Sequence, residues 1–190
     1  MTSLRTVVFD LDGTLVDTAP DLINALNYIL VREEMPPVPL HSARTMIGAG
    51  VRRLIERGLE LDGRAIEIED VNRLTADFID YYAAHIADAS RPFEGLEAAL
   101  DDLAERGCRF AVCTNKLEWL SKLLLDRLGL SARFSAICGA DTFGISIGRV
   151  LRSQADEMRV KRRQLAEAWA RFCEGPPAET ENNVIAIGWS

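Results

Sequence analysis

The stretch Val7-Val8-Phe9-Asp10-Leu11-Asp12-Gly13-Thr14-Leu15 decides the fold. Leu4 to Phe9 (LRTVVF) is rich in β-branched residues and stops at a turn-like Asp-x-Asp-Gly, the pattern of a strand buried on both faces. Such strands belong to parallel sheets. Two carboxylates two residues apart at the end of this strand emerge together at the sheet edge, and Gly13 lets the backbone turn away sharply. Their mutual repulsion calls for a counter-cation. Mg²⁺ suits the pair because it is hard, prefers oxygen and is commonly held by one or two carboxylates plus phosphate oxygens and water. In that arrangement Asp10 attacks phosphorus and Asp12 handles the proton. An acidic surface turn is the competing reading, and a calcium loop fails because the glycine stands fourth in the motif rather than sixth.

Outward from this motif, Thr18-Ala-Pro-Asp21 forms a helix start with an acidic residue three positions on, followed by Leu22, Ala25, Leu26 and Ile29 at helical spacing. This helix should end before Pro36-Pro37. Further helical patterns cover about 41 to 47, 50 to 59 and 70 to 88, the last with Val71, Leu74, Phe78, Tyr81 and His85 on one stripe. After Pro92 the pattern alternates: helix Gly95 to Arg106, strand Arg109 to Cys113, helix Glu118 to Leu128, strand Phe134 to Cys138. Strand alternating with helix predicts parallel crossovers. The expected architecture is α/β, a Rossmann-like parallel sheet assembled from residues 1–17 and 91–190, with residues 18–90 a helical insertion over the carboxyl edge of the sheet. Ligands bind at that edge in open α/β folds. Beyond about Gly148 the composition shifts. Residues 1–148 carry 15 basic and 23 acidic side chains, and residues 149–190 carry 7 and 6. Leu151, Ala155, Met158, Leu165, Trp169 and Phe172 make a helical stripe there, followed by a strand-like Asn183-Val-Ile-Ala-Ile-Gly188.

A chain of 190 residues holds one domain, or one plus an insertion. With 48% hydrophobic and 27% charged residues it has the composition of a folded globular protein. A net charge of −7 disfavours nucleic acid or an anionic membrane as the main partner, and an exposed helix face accounts for the basic run Arg149 to Arg163. No apolar run approaches the roughly 20 residues of a membrane span, and no signal-peptide block precedes Asp10, so a cytoplasmic location is expected. Cys108, Cys113, Cys138 and Cys173 lack metal-ligand spacing and read as reduced thiols.

The motif Asp10-Leu-Asp12-Gly-Thr, following an apolar strand, resembles the first motif of the haloacid dehalogenase superfamily. Cys113-Thr114-Asn115-Lys116, at the end of the next core strand, resembles its second. Taken alone, Thr-Asn is a helix cap; beside the first motif, its hydroxyl and amide become neutral donors to phosphate oxygens. Ile47-Gly48-Ala-Gly50-Val-Arg-Arg-Leu54, Pro92-Phe-Glu-Gly95 and Gly139-Ala-Asp-Thr-Phe-Gly-Ile-Ser146 are similar to the phosphoglycolate phosphatases of that superfamily, a likeness spanning about residues 4 to 146. The resemblance implies a helical cap, Mg²⁺ dependence and hydrolysis of a small phosphate monoester, most like 2-phosphoglycolate. Asp10 and Asp12 would be catalytic and metal-binding, and Thr114, Asn115 and Lys116 phosphate-binding. Asp10 would form an aspartyl-phosphate while Asp12 protonates the leaving alkoxide and then activates water. Arg44, Arg52 and Arg53 could meet a substrate carboxylate or simply form a solvated helix face. His41 and His85 read as ordinary side chains.

The family pattern breaks at two places. Ser146 is followed by Ile147-Gly148 where these phosphatases carry Lys-Pro, and Trp189 stands where a metal-binding aspartate follows the glycine of the last motif. The first departure falls at the composition shift and the second beyond it, which is expected of a frameshifted, truncated or rearranged gene end. A catalytically inactive phosphate-binding or interaction remnant is therefore the competing function, and a sugar-phosphate mutase a third within the same fold. Lys116 or Lys161 reaching Asp10 would restore the missing positive charge.

Overall fold

The computed structural model describes residues 4–40, 47, 50–61, 68–142 and 182–185, with residues 4, 5 and 182–185 as backbone. The 41–47 helix expectation except Ile47, and His41, Arg44, Ile147, Lys161, Cys173 and Trp189, lie outside the described residues, as does the helical stripe from Leu151 to Phe172.

In chain order the elements are β1 (Leu4–Phe9), β2 (Val16–Asp17), α1 (Ala19–Arg32), α2 (Val51–Leu61), α3 (Ile68–Ala84), β3 (Arg91–Pro92), α4 (Leu96–Glu105), β4 (Cys108–Cys113), α5 (Glu118–Arg127), β5 (Ala136–Cys138) and β6 (Asn182–Ile185). β5, β4, β1 and β6 form a sheet in that spatial order, every neighbouring pair parallel. Phe9 pairs with Val112, and Cys113 with Cys138, so β1, β4 and β5 end at one edge. The expected α/β architecture is therefore observed, with helices α1 to α3 inserted between β2 and β3.

β2 and β3 are a feature that pattern reading missed. Val16 pairs antiparallel with Pro92 and Asp17 with Arg91, which sets the two chain crossings into and out of the helical insertion side by side. Two residues per strand are too few to show any alternation.

One apolar cluster runs through the molecule. Leu11, Leu15 and Val16 from the first loop join Leu22, Leu26 and Ile29 of α1, Ile55 of α2, Phe78 and Tyr82 of α3, and Phe110 and Val112 of β4. Gly58 of α2 lets that helix close on α1, since an added Cβ would stand 3.1 Å from a Leu26 methyl. The stripe expected on α3 is displaced by one residue: Val71, Leu74, Phe78 and Tyr82 are buried, whereas Tyr81 is only half-buried. Tyr81 instead stacks on Tyr28 of α1 at 4.0 Å between ring centroids and lies 4.4 Å from the His85 ring. Helical spacing admits either neighbour, because i+3 and i+4 from Phe78 both lie on its face. Contact with the sheet edge selects Tyr82. α3 also stops at Ala84 rather than running to Asp88.

The start of α1 differs from expectation in a way that bears on the site. Thr18 and Asp21 have the sequence of a helix cap, yet the Thr18 side chain makes no capping bond. Both side chains are used across the fold. Thr18 Oγ1 donates to Asp12 Oδ1 at 2.8 Å. Asp21, 1% exposed, accepts from Ala89 N at 2.9 and 3.1 Å, from Ser90 N at 2.7 Å and from Ser90 Oγ at 2.7 Å. A buried carboxylate is tolerated only with such a shell of donors. Pro20 in the first turn of α1 offsets the missing cap, since its fixed φ is preorganised for a helix start.

Candidate active site

The loop after β1 is wound around a single carbonyl. Leu11 O accepts from the N–H groups of Thr14, Leu15 and Val16 at 3.3, 3.1 and 3.1 Å, while Gly13 N donates to Val16 O at 2.8 Å. Gly13 sits at φ +76°, the left-handed region that a residue with a Cβ enters only at a cost. This turn fixes Asp10 and Asp12 beside each other at the end of β1.

Asp10 is half-buried. Burial pushes its pKa above the usual carboxylate value, against the Leu11 backbone N–H; the Asp12 charge pushes it further up, against the Thr114 hydroxyl and the Lys116 charge. Thr114 is buried at the end of β4, where its N–H donates to Cys138 O at 3.0 Å and its Oγ1 accepts from Lys116 N at 3.3 Å. Thr114 is therefore no helix cap: α5 begins later, at Glu118, whose N–H donates to Asp141 Oδ1 at 2.7 Å from the loop beyond β5. Asn115 is exposed at the same edge.

Lys116 turns inward. Its ammonium lies 3.2 Å from Asp12 Oδ1 with side chains 5% and 14% exposed, donates to Tyr82 Oη at 3.0 Å, and stands 4.6 Å from the centroid of the Tyr82 ring. Burial opposes the Lys116 charge, but Asp12 and Tyr82 together outweigh it, and the pKa lies above the ordinary lysine value. Lys116 forms its ion pair with Asp12 rather than Asp10, although its charge is felt at both. Desolvation raises the Tyr82 pKa as well, which holds the phenol in its neutral form.

The loop after β5 locks this arrangement from outside. Ala140 N donates to Lys116 O at 2.9 Å, and Gly139 N to Thr142 Oγ1 at 2.7 Å. A Cβ on Gly139 would fall 2.2 Å from Glu118 N and 2.5 Å from Lys116 O, so only glycine fits. Arg52 and Arg53 are engaged elsewhere: both pair with Glu56 at 3.1 Å, and Arg52 also donates to Asn72 Oδ1 at 2.7 Å. These are ion pairs along the helix, with the Arg52 side chain half-buried. His85 pairs with Asp88 at 2.7 Å.

The structure thus brings Asp10, Asp12, Thr114 and Lys116 together, with Asn115 at the rim. Sequence reasoning missed Thr18 and Tyr82. The hydroxyl of Thr18 was hidden behind its helix-start pattern, and Tyr82 behind the neighbouring Tyr81. Among the described residues, no three His, Cys, Asp or Glu side chains gather into a metal site. The Asp10–Asp12 pair is still a fitting donor set for a hard divalent cation, because burial and mutual repulsion disfavour the Asp10 charge and a cation would relieve both. Among the described residues no helix is long and apolar enough to cross a membrane.

Residues 7–157 match the family model of haloacid dehalogenase-like hydrolases. Over 136 residues the chain is 52% identical to a phosphoglycolate phosphatase of Caulobacter vibrioides, covering 72% of this chain and 57% of that one. A phosphoglycolate phosphatase of Mesorhizobium japonicum is 42% identical over 137 residues, 72% of this chain and 60% of its own. The chain spans about three-fifths of the length of these relatives. A crystal structure described as a predicted phosphoglycolate phosphatase from Haemophilus somnus matches with a TM-score of 0.67 at 27% identity, over 75% of this chain and 65% of the other. That of a predicted phosphatase from Clostridium acetobutylicum matches 97% of this chain and 76% of its own, with a TM-score of 0.67 at 23% identity, a likeness of fold.

Proposed function

The chain belongs to the haloacid dehalogenase-like hydrolase family, and from that premise we propose that it is built as a Mg²⁺-dependent phosphatase for a small phosphate monoester, most like 2-phosphoglycolate. The observation that carries this reading is the Asp10–Asp12 pair at the carboxyl end of β1, with the Thr114 hydroxyl acting on the first carboxylate and Lys116 paired with the second. The name borne by the 52% identical relative supports the substrate class.

In the proposed reaction a carboxylate oxygen of Asp10 attacks phosphorus, and the bond from phosphorus to the ester oxygen breaks. Asp12, protonated on the oxygen that Thr18 and Lys116 leave free, gives that proton to the departing alkoxide. It then takes a proton from water, which attacks the aspartyl-phosphate, releases phosphate and regenerates Asp10. Thr114 and Asn115 supply neutral donors to the phosphoryl oxygens, and Lys116 offsets the negative charge beside them. Thr18 and Lys116, both bonded to Asp12 Oδ1, fix the carboxylate plane for its proton transfers. Mg²⁺, when bound by Asp10 and Asp12, would neutralise charge developing on the transferring group. The helices of residues 18–90 would serve as the cap that excludes water from this edge.

The test is Mg²⁺-dependent release of phosphate from 2-phosphoglycolate and from an aryl phosphate, with Asp10→Asn as control. Equal rates from the two proteins would overturn the enzyme reading. Ile147 and Trp189, standing where relatives of the phosphatase type carry lysine and aspartate, favour a second reading, a phosphate-binding remnant without turnover. It predicts that orthovanadate binds while neither substrate is consumed.

A further inference from the structure

We propose that Tyr82, on the inserted helix α3, is a positioning residue that holds the Lys116 ammonium on Asp12. This deepens the function proposed above and rests on it for its catalytic consequence, though not for its geometry.

Tyr82 is fully buried, and a buried phenol needs a partner for its oxygen. Its partner is a charge. The Lys116 ammonium has lost its hydration shell, with the side chain 5% exposed, and meets Tyr82 twice: Oη accepts a hydrogen bond at 3.0 Å, and the ring centroid lies at 4.6 Å. The same nitrogen reaches Asp12 Oδ1 at 3.2 Å, and Thr18 Oγ1 reaches that oxygen from another side at 2.8 Å. Lys116 is carried on a loop, the segment between β4 and α5, and a four-carbon side chain on a loop has many rotamers available. Two fixed acceptors, one from the β1 loop and one from α3, leave it one place. Phe78 is packed near-parallel to Tyr82 at 5.8 Å and belongs to the same core cluster, which keeps the phenol from moving with the lysine. The insertion therefore contributes to the site through a residue whose contact is with the lysine.

Two variants separate the hydrogen bond from the ring. Tyr82→Phe keeps the ring face and volume and removes the acceptor; Tyr82→Leu removes both. The primary readout is the ¹⁵N-lysine ammonium spectrum of the full chain, with the Lys116 signal assigned by its loss in Lys116→Met. A buried, doubly bonded ammonium exchanges slowly and gives a resolved signal in the wild type. We expect that signal to shift or broaden in Tyr82→Phe, and to disappear in Tyr82→Leu, while thermal unfolding shows that Tyr82→Phe stays folded. In turnover of the aryl phosphate, kcat should fall about tenfold in Tyr82→Phe with KM within about twofold, because the lost bond is one to a charged group. A Lys116 signal unchanged in Tyr82→Phe overturns the proposal whatever the rates do. If the wild type releases no phosphate, the function proposed above fails, and the spectrum alone decides the role of Tyr82.

Discussion

Removing the Asp21 carboxylate should be among the most damaging single changes in the protein. It is 1% exposed and satisfies three donors: the N–H groups of Ala89 and Ser90 and the hydroxyl of Ser90. Ala89 is exposed, so its N–H can turn to water in Asp21→Ala, but Ser90 is completely buried and strands two donors. Each costs about 1–3 kcal/mol when left unmet. Relief from no longer burying a charge offsets part of this, which leaves a loss of about 3 kcal/mol, a large share of the roughly 5–15 kcal/mol that holds a domain together. Asp21→Asn keeps the shape but turns an amide N–H₂ toward the same donors, and should lose about 2 kcal/mol. Ser90→Ala removes a donor together with its need and should lose only about 1 kcal/mol. Urea unfolding followed by circular dichroism measures all three, and the double variant Asp21→Ala/Ser90→Ala should fall short of additivity by about 1 kcal/mol. An Asp21→Ala midpoint within experimental scatter of the wild type, at unchanged slope, would refute the reasoning.

Gly139→Ala places a Cβ 2.2 Å from Glu118 N, and its backbone neighbours have no flexible end to yield; a loss of about 3 kcal/mol in thermal unfolding and a drop in phosphate release are expected together, since the displaced loop carries Thr114 to Lys116. Asp10→Asn should abolish turnover and yet stabilise the metal-free fold at neutral pH. The folded-state pKa of Asp10 is raised above its ordinary 3.8, so ionising it costs the native state; the advantage of Asn is complete above the folded pKa, shrinks as pH falls toward 3.8 and is gone below it, as urea titrations in chelator at several pH values will show. Lys116→Met leaves Asp12, 14% exposed, without its cation, and should lower stability by about 3 kcal/mol and phosphate release by roughly a hundredfold, checked by unfolding and steady-state assays.

What could be read in the sequence was what lies close along the chain. Strand β1, the turn at Gly13 and the emergence of Asp10 and Asp12 at a sheet edge are all set within the ten residues from Leu4 to Gly13, where apolar run, spacing and glycine agree. The alternation of helix and strand after Pro92 was equally local. Contacts between distant segments left no such trace. Nothing in the spacing of Asp12, Tyr82 and Lys116 marks them as partners, and the α3 periodicity fits Tyr81 as well as Tyr82 until the sheet edge is in place. Thr18 and Asp21 were legible as polar residues with a purpose, but helix-cap chemistry and tertiary bonding draw on the same side chains. The two departures from the family pattern, at Ile147 and Trp189, fall outside the described residues.

The ribbon of β2 and β3 joins the helical insertion to the sheet layer at one paired crossing. Asp17 and Arg91 face each other as direct antiparallel partners, so the polypeptide leaves the sheet layer and comes back at one spot. Geometrically, everything between them could be swapped for a two-residue hairpin turn without pulling on any strand of the sheet. Tyr82 and Asp21 are the stitches across that crossing, and any replacement of the helices would have to supply them again.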